Sequence, residues 1–168
     1  MLEPLRELLA RLQQEKIRRF KRRVSVGDLL TDRWENARVY GFGEGTSCYD
    51  NVLVLGNVRV GRHTWIGPNV VLDGLGGPLV IGDYCSISSG VHIYTHNTIR
   101  WSVTLGKAPI DRAPTSVGNG VYIGPNSVVS MGVTLGEQSV IGAMSFVNAD
   151  VPPGKKAWGC PAHIVGDV

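Results

Sequence analysis

Between Val60 and Val147 a branched apolar residue recurs at every sixth position, and glycine often follows it: Val60-Gly61, Ile66-Gly67, Ile81-Gly82, Val117-Gly118, Ile123-Gly124, Leu135-Gly136, Ile141-Gly142. Leu72, Ile87, Ile93, Val129 and Val147 hold the other sixth positions, with Asp73, Ser88, Tyr94, Ser130 and Asn148 in the glycine slot. A lone amphipathic helix repeats every three to four residues and a sandwich strand every two, so neither explains this period. A solenoid does, because each short repeat buries its apolar side only by stacking on the next.

Two positions before these residues stand Val58, Thr64, Val70, Leu79, Cys85, Val91, Thr115, Val121, Ser127, Val133, Ser139 and Ser145, mostly small or β-branched. Residues two apart on a strand share a face, so both sets are expected to point inward. Cys85 then packs the interior rather than acting as a nucleophile. Twelve repeats, three to a coil, predict four coils of a triangular prism. The period does not give the hand, and the usual handedness of parallel crossovers would favour a right-handed coil.

The rhythm breaks twice. Three residues are inserted within Asp73-Gly74-Leu75-Gly76-Gly77-Pro78, and the segment 95–114 has no repeat character. That segment carries Trp101, Gly106, Lys107, Pro109, Asp111, Arg112 and Pro114. A loop of this length inside a compact solenoid usually serves function, which points to it as the site.

Residues 2–23 read as an amphipathic helix through Leu5, Leu8, Leu9, Leu12, Ile17 and Phe20, ending in Lys16, Arg18, Arg19, Lys21, Arg22 and Arg23. A solvated face on a helix packed against the domain is preferred over contact with a membrane surface or a partner. Residues 24–50 form an irregular lead-in, and its Gly41 to Thr46 stretch reads as a turn, since acidic Glu44 would repel a phosphate. One domain is expected, with a helix and lead-in over 1–50, the repeats over 51–151 with loop 95–114, and a tail over 152–168.

The first 23 residues hold eight basic and three acidic side chains, and the remainder nine and eleven. The repeats therefore offer no basic track, which argues against nucleic acid. Neither a secretory signal nor a membrane span is read, so a cytoplasmic protein is expected. Cys48, Cys85 and Cys160 are widely spaced and odd in number, against a disulfide framework or structural zinc.

The repeat, the excursion opening Ile93-Tyr94-Thr95-His96-Asn97, and the ending Asp150-Val151-Pro152-Pro153-Gly154 with Gly159-Cys160-Pro161-Ala162 together resemble the hexapeptide-repeat acyltransferases. The resemblance is strongest to the galactoside, maltose and nodulation-type sugar O-acetyltransferases and their surface-polysaccharide relatives, over roughly residues 50–165. It implies a left-handed parallel β-helix, a homotrimer, acetyl-CoA as acyl donor, no metal, and active sites between subunits acting on a sugar or sugar-containing acceptor. His96 matches the histidine that takes the proton from the acceptor hydroxyl, which then attacks the thioester directly. An imidazole suits this because it titrates where it can accept and later release a proton.

Asp73 resembles the acidic residue that binds acceptor hydroxyls, and Tyr122 stands where the galactoside enzymes carry a tryptophan facing the coenzyme. Trp101 offers a surface for a sugar ring. Gly124, Pro125, Gly142 and Ala143 match the positions that line the pantetheine groove, and Lys155 and Lys156 could supply charge for the coenzyme phosphates. His92 is a second candidate near the site, whereas His63 and His163 read as structural or surface residues. Ser86, Ser88 and Ser89 lack a nucleophile elbow.

The alternatives are an N-acetyltransferase of a nucleotide-linked amino sugar, a zinc enzyme resembling the γ-class carbonic anhydrases built on His63, His92 and His96, and a non-catalytic trimeric scaffold. The histidine spacing does not match the zinc family, and the long loop and Pro-Pro ending would have no task there.

Overall fold

Every sixth-position residue from Val60 to Val147 is buried, and so is every residue two places before it except half-buried Val58. The computed structural model describes residues 2–168, and in it these pairs bracket the rungs of a parallel β-helix. The first face stacks Ser47–Cys48, Trp65–Ile66, Ser86–Ile87, Tyr122–Ile123, Val140–Ile141 and Lys155–Gly159. On the second, Leu53, Val71, His92, Val128 and Phe146 lie in one register. On the third, Val58–Val60 meets Leu79–Ile81, then Thr115–Val117 and Thr134–Leu135, and Leu135 bridges to Val151.

The corners are made by a left-handed residue three places before a sixth position: His63, Asn69, Tyr84, Asn126, Gln138 and Met144, and glycine at Gly90, Gly120 and Gly132. Inward hydroxyls, Ser139 excepted, are matched to backbone carbonyls, as buried polar groups require. Thr64 Oγ1 donates to Gly82 O at 2.9 Å and Ser127 Oγ to Gly142 O at 2.8 Å. Cys85 lies inside, its thiol pushed up in pKa chiefly by burial, so it packs and does not react.

The solenoid begins a coil earlier than the repeat count predicts. Ser47–Cys48 already pairs with Trp65–Ile66, and Thr46, Cys48 and Val52 are buried in the interior. The lead-in is also more ordered than expected, forming helices α2 (Val26–Leu30) and α3 (Arg33–Val39) after the N-terminal α1 (Leu2–Phe20). Asn36 Nδ2 donates to Cys48 O and Tyr49 O, fastening α3 to the first coil. Helix α1 buries none of its residues and lies against α2, leaving Leu2, Leu5 and Phe20 exposed. It is shorter than the 2–23 expected, and it does not sink its apolar stripe into the domain. No helix among the described residues is long and apolar enough to cross a membrane.

At the other end, Lys155–Gly159 and Ala162–Asp167 form an antiparallel hairpin over the last coil. The excursion is not a structureless loop either. His96–Asn97 pairs antiparallel with Asp111–Arg112, and α4 (Ile99–Val103) fills the tip.

Candidate active site

The two interruptions of the repeat meet. The inserted residues form a bulge within strand Val71–Ile81: Gly74 pairs with Gly56 and Leu79 with Val58, so 75–78 stand opposite Asn57 alone. Gly76 then lies against the root of the excursion so closely that a Cβ there would sit 2.0 Å from Thr95 O and 2.6 Å from His96 Cβ. Its N–H donates to Thr95 Oγ1 at 2.9 Å. From the next coil Thr115 Oγ1 donates to Tyr94 O at 2.7 Å and accepts from Gly132 N at 3.1 Å. Both sides of His96 are thus pinned by backbone.

This packing delivers Asp73 to His96. The Asp73 side chain is 2% exposed; Oδ1 accepts from Leu75 N at 2.9 Å, and Oδ2 lies 2.8 Å from His96 Nδ1. Nδ1 makes no aligned hydrogen bond even at that separation. Such bonds are often poorly aligned before substrate is in place. A buried carboxylate needs a partner; the Leu75 N–H supplies one, and the imidazole stands beside the other oxygen. Nδ1 is buried, leaving Nε2 as the ring nitrogen able to meet a ligand. In the tautomer that places the proton on Nδ1, beside Asp73, Nε2 carries a lone pair and can accept a proton.

Arg112 stands directly across the hairpin from His96. Opposed residues of an antiparallel pair project to one side of the ribbon, so the guanidinium shares the face of the imidazole. Arg112, Lys107, Trp101, Gly106, Ala108, Pro109 and Ile110 line an open cavity of about 620 Å³. Sequence reasoning noted Arg112 and Lys107 in the excursion but gave them no role; only the hairpin register reveals the neighbour of His96.

The other sequence candidates fall elsewhere on the chain. Tyr122 is exposed on the first face, in one outward column with Val140 and Lys156. Gly124, Pro125, Gly142 and Ala143 gather at the corner between the first and second faces, where Met144 N donates to Pro125 O at 2.9 Å. A Cβ on Gly124 would lie 2.5 Å from Ala143 N, and one on Gly142 2.7 Å from Trp158 Cβ. Coil stacking alone therefore demands glycine at both. Lys155 is ion-paired with Asp167. His96 leaves the opposite edge of the second face, so one chain does not bring it to the Gly124 corner.

The remaining histidines are engaged separately. His63 stacks on Tyr84 with ring centroids 4.9 Å apart, and His92 Nδ1 lies 3.2 Å from the Tyr94 hydroxyl. Among the described residues no three side chains converge as a metal site.

With this geometry in view, the family described as bacterial transferase hexapeptide (six repeats) matches residues 114–149. A hexapeptide-repeat-containing acetyltransferase from Vibrio cholerae O1 biovar eltor, solved with acetyl coenzyme A, is 29% identical with a TM-score of 0.70, covering 99% of this chain and 88% of its own. Galactoside acetyltransferase in complex with coenzyme A is 26% identical with a TM-score of 0.70, covering 99% and 84%. An N-acyltransferase from Bacillus cereus, solved with dTDP and coenzyme A, shares the fold at 20% identity and a TM-score of 0.67, over 75% and 72%. No curated protein sequence matches the chain. The protein is a left-handed parallel β-helix, and over residues 114–149 it carries the repeat of the bacterial hexapeptide transferases, with similarity to solved hexapeptide-repeat acetyltransferases.

Proposed function

We propose that this chain is an acetyl-CoA-dependent acetyltransferase that modifies a hydroxyl of a sugar or sugar-containing acceptor, with His96 as general base and Asp73 as the residue that orients it. The observation that carries the reading is the 2.8 Å approach of a buried carboxylate to His96 Nδ1 at the root of the one long excursion. The relatives solved with acetyl coenzyme A and coenzyme A, similar over 99% of this chain, support the donor.

In the proposed step His96 Nε2 accepts the acceptor's hydroxyl proton as the oxygen attacks the acetyl carbonyl. Collapse of the tetrahedral adduct breaks the C–S bond, and the imidazolium returns its proton to the departing thiolate. Asp73 holds the tautomer and stabilises the transient positive charge on the ring. No acyl-enzyme is required, in keeping with the buried Cys85 thiol.

The coenzyme is proposed to lie along the corner of Gly124, Pro125, Gly142 and Ala143, with Tyr122 beside it. Lys156 is its better phosphate contact, because Lys155 already faces Asp167. Since His96 and that corner are separated on one chain, the site is proposed to form between subunits of a homotrimer. Two features support this. The outward column Leu53, Val71, His92, Val128 and Phe146 is largely apolar, and Ile99, Val103 and Leu105 project from the excursion exposed. The acetyl donor suits a cytoplasmic enzyme.

The test is release of free coenzyme A thiol with a panel of sugars, amino sugars, sugar phosphates and sugar nucleotides, followed by product analysis to separate O- from N-acetylation. Turnover that vanishes in His96→Asn is expected. A His96→Asn protein as active as the wild type would overturn the assignment.

A further inference from the structure

The cavity on the excursion carries two cations without an anion. Arg100 is committed to Asp111 at 3.1 Å, but among the described residues neither Lys107 nor Arg112 makes an ion pair. Both are exposed, and both line the space beside half-exposed Trp101. The turn that closes this space depends on Gly106 at φ +81°, whose N–H donates to Trp101 O at 2.8 Å. The indole edge rests against that glycine. Thr104 Oγ1 tightens the same turn, donating to Arg100 O at 2.7 Å and accepting from Ala108 N at 2.8 Å. An aromatic surface and two uncompensated positive charges are therefore held on one built loop, and Arg112 faces the same side of the hairpin as His96.

A neutral sugar would need hydroxyl-binding carboxylates and amides, and this cavity offers cations. Asp111, the acid nearest to it in sequence, is occupied by Arg100. Guanidinium and ammonium groups beside an aromatic ring suit a ligand with a ring face and a carboxylate or phosphate.

We infer that the Trp101–Lys107–Arg112 cavity is an acceptor subsite selective for negatively charged sugars, those carrying a carboxylate or a phosphate. This rests on the reading of His96 as the base, since the cavity gains its meaning from Arg112, which stands opposite that residue in the hairpin. Arg112 is its specificity-determining residue: bound to the anionic group, it would hold the sugar so that a hydroxyl reaches His96 Nε2.

The experiment measures binding directly, so that it does not depend on transfer. Calorimetric titrations of the full chain with a neutral hexose, a hexuronate, a hexose phosphate and a nucleoside-diphosphate hexose are compared. At least one anionic sugar should bind about tenfold or more tightly than the neutral hexose, with a preference that weakens as salt is raised. The hexuronate and phosphate arms tell a carboxylate ligand from a phosphate ligand.

The preference should collapse in Lys107→Gln/Arg112→Gln and survive in part in Arg112→Lys. Equal affinity for neutral and anionic sugars, or a preference untouched by the double substitution, overturns the proposal. Thiol release run in parallel separates the two readings. Anion-selective binding with no acetyl transfer to any sugar leaves the subsite standing and sinks the acetyltransferase. Transfer to neutral sugars without anion selectivity does the reverse.

Discussion

Asp73 Oδ2 reaches to 2.8 Å from His96 Nδ1 while Asp73 Oδ1 is tied to the Leu75 N–H, so the carboxylate is immobile and turned away from solvent. That arrangement suits a positioning residue better than a ligand for acceptor hydroxyls, and the two roles predict different kinetics. Asp73→Asn keeps the shape and the Leu75 bond, but its amide can donate to Nδ1 and leave the proton on Nε2, where it blocks the base. We expect kcat to fall at least about tenfold with the acceptor KM nearly unchanged, and His96→Ala to lose about 10²–10⁴. A raised KM at constant kcat in Asp73→Asn would return that carboxylate to the acceptor.

Gly124 separates a structural from a ligand-driven reason for glycine. Its hydrogen points at the next coil, and a methyl there would press on Ala143 N at 2.5 Å. Gly124→Ala should therefore cost about 1–3 kcal/mol of stability by overpacking, visible as a lowered Tm without any coenzyme present. A variant with native Tm and only a raised KM for acetyl-CoA would show that the coenzyme, not the neighbouring coil, required the gap.

The interior of the prism was legible because its residues keep a six-residue register on either side of the two interruptions, and burial follows that register. The same register continues backward through Val54 and Cys48, with Val52 and Thr46 two places earlier, so the first coil was written in the chain as well. Tyr49 and Leu55 stand where glycine usually follows the sixth position, which hid it. The hairpin of the excursion gave no such signal: its pairs, His96 with Arg112 and Asn97 with Asp111, are all polar and show no alternation.

The approach of Asp73 to His96 was hidden for a related reason. The repeat pattern does not say what covers a residue in the glycine slot, and only the fold of the excursion over Gly76 shows that Asp73 is buried. Helix α1 illustrates the complementary limit: its period specifies a helix, but period alone says nothing about what lies against the stripe.

The Arg33–Asp28 pair should anchor the N-terminal helices. Asp28 is buried, and Arg33 meets it through two bonds, Nε at 2.9 Å and Nη2 at 2.7 Å, while its guanidinium lies 3.5 Å from the Tyr49 ring centroid. The hydrogen bonds it donates to Asp28 hold the Arg33 pKa above its ordinary value. Arg33→Met leaves a buried carboxylate unpaired and should cost about 3 kcal/mol, whereas pairing it with Asp28→Leu should recover much of the loss. Urea titrations of both variants and the wild type measure this directly. Equal losses in the single and double variants would deny the pair its anchoring role.

Alkali should loosen the first coil before the others. Burial pushes the Cys48 thiol up to about 12, so the folded chain keeps a proton that the unfolded chain releases near the ordinary thiol value of about 8.5. Because the folded pKa is the higher one, the stability is fully present below the unfolded value and declines as pH rises toward 12. The slope in that window is about 1.4 kcal/mol per pH unit for one thiol. Cys48→Ala should flatten the decline of Tm above pH 9, although Cys85, raised for the same reason, keeps part of it. Identical alkaline curves for Cys48→Ala and the wild type would refute this account.

The second face decides whether the proposed site can be completed. Leu53, Val71, His92, Val128 and Phe146 stand in register on its outside, an apolar column that a lone chain would leave to water. Copies joined along this face would bring the His96 hairpin of one to the Gly124 corner of another, which a single chain keeps apart. Light scattering should return three times the 18.1 kDa chain mass for the wild type. Val128→Glu sets a charge in the middle of the column and should yield folded monomers that retain the β-helix circular dichroism but lose acetyl transfer together with the trimer. An active monomer, from either the wild type or Val128→Glu, would mean that one chain holds the whole site and that the corner assigned to the coenzyme is wrong.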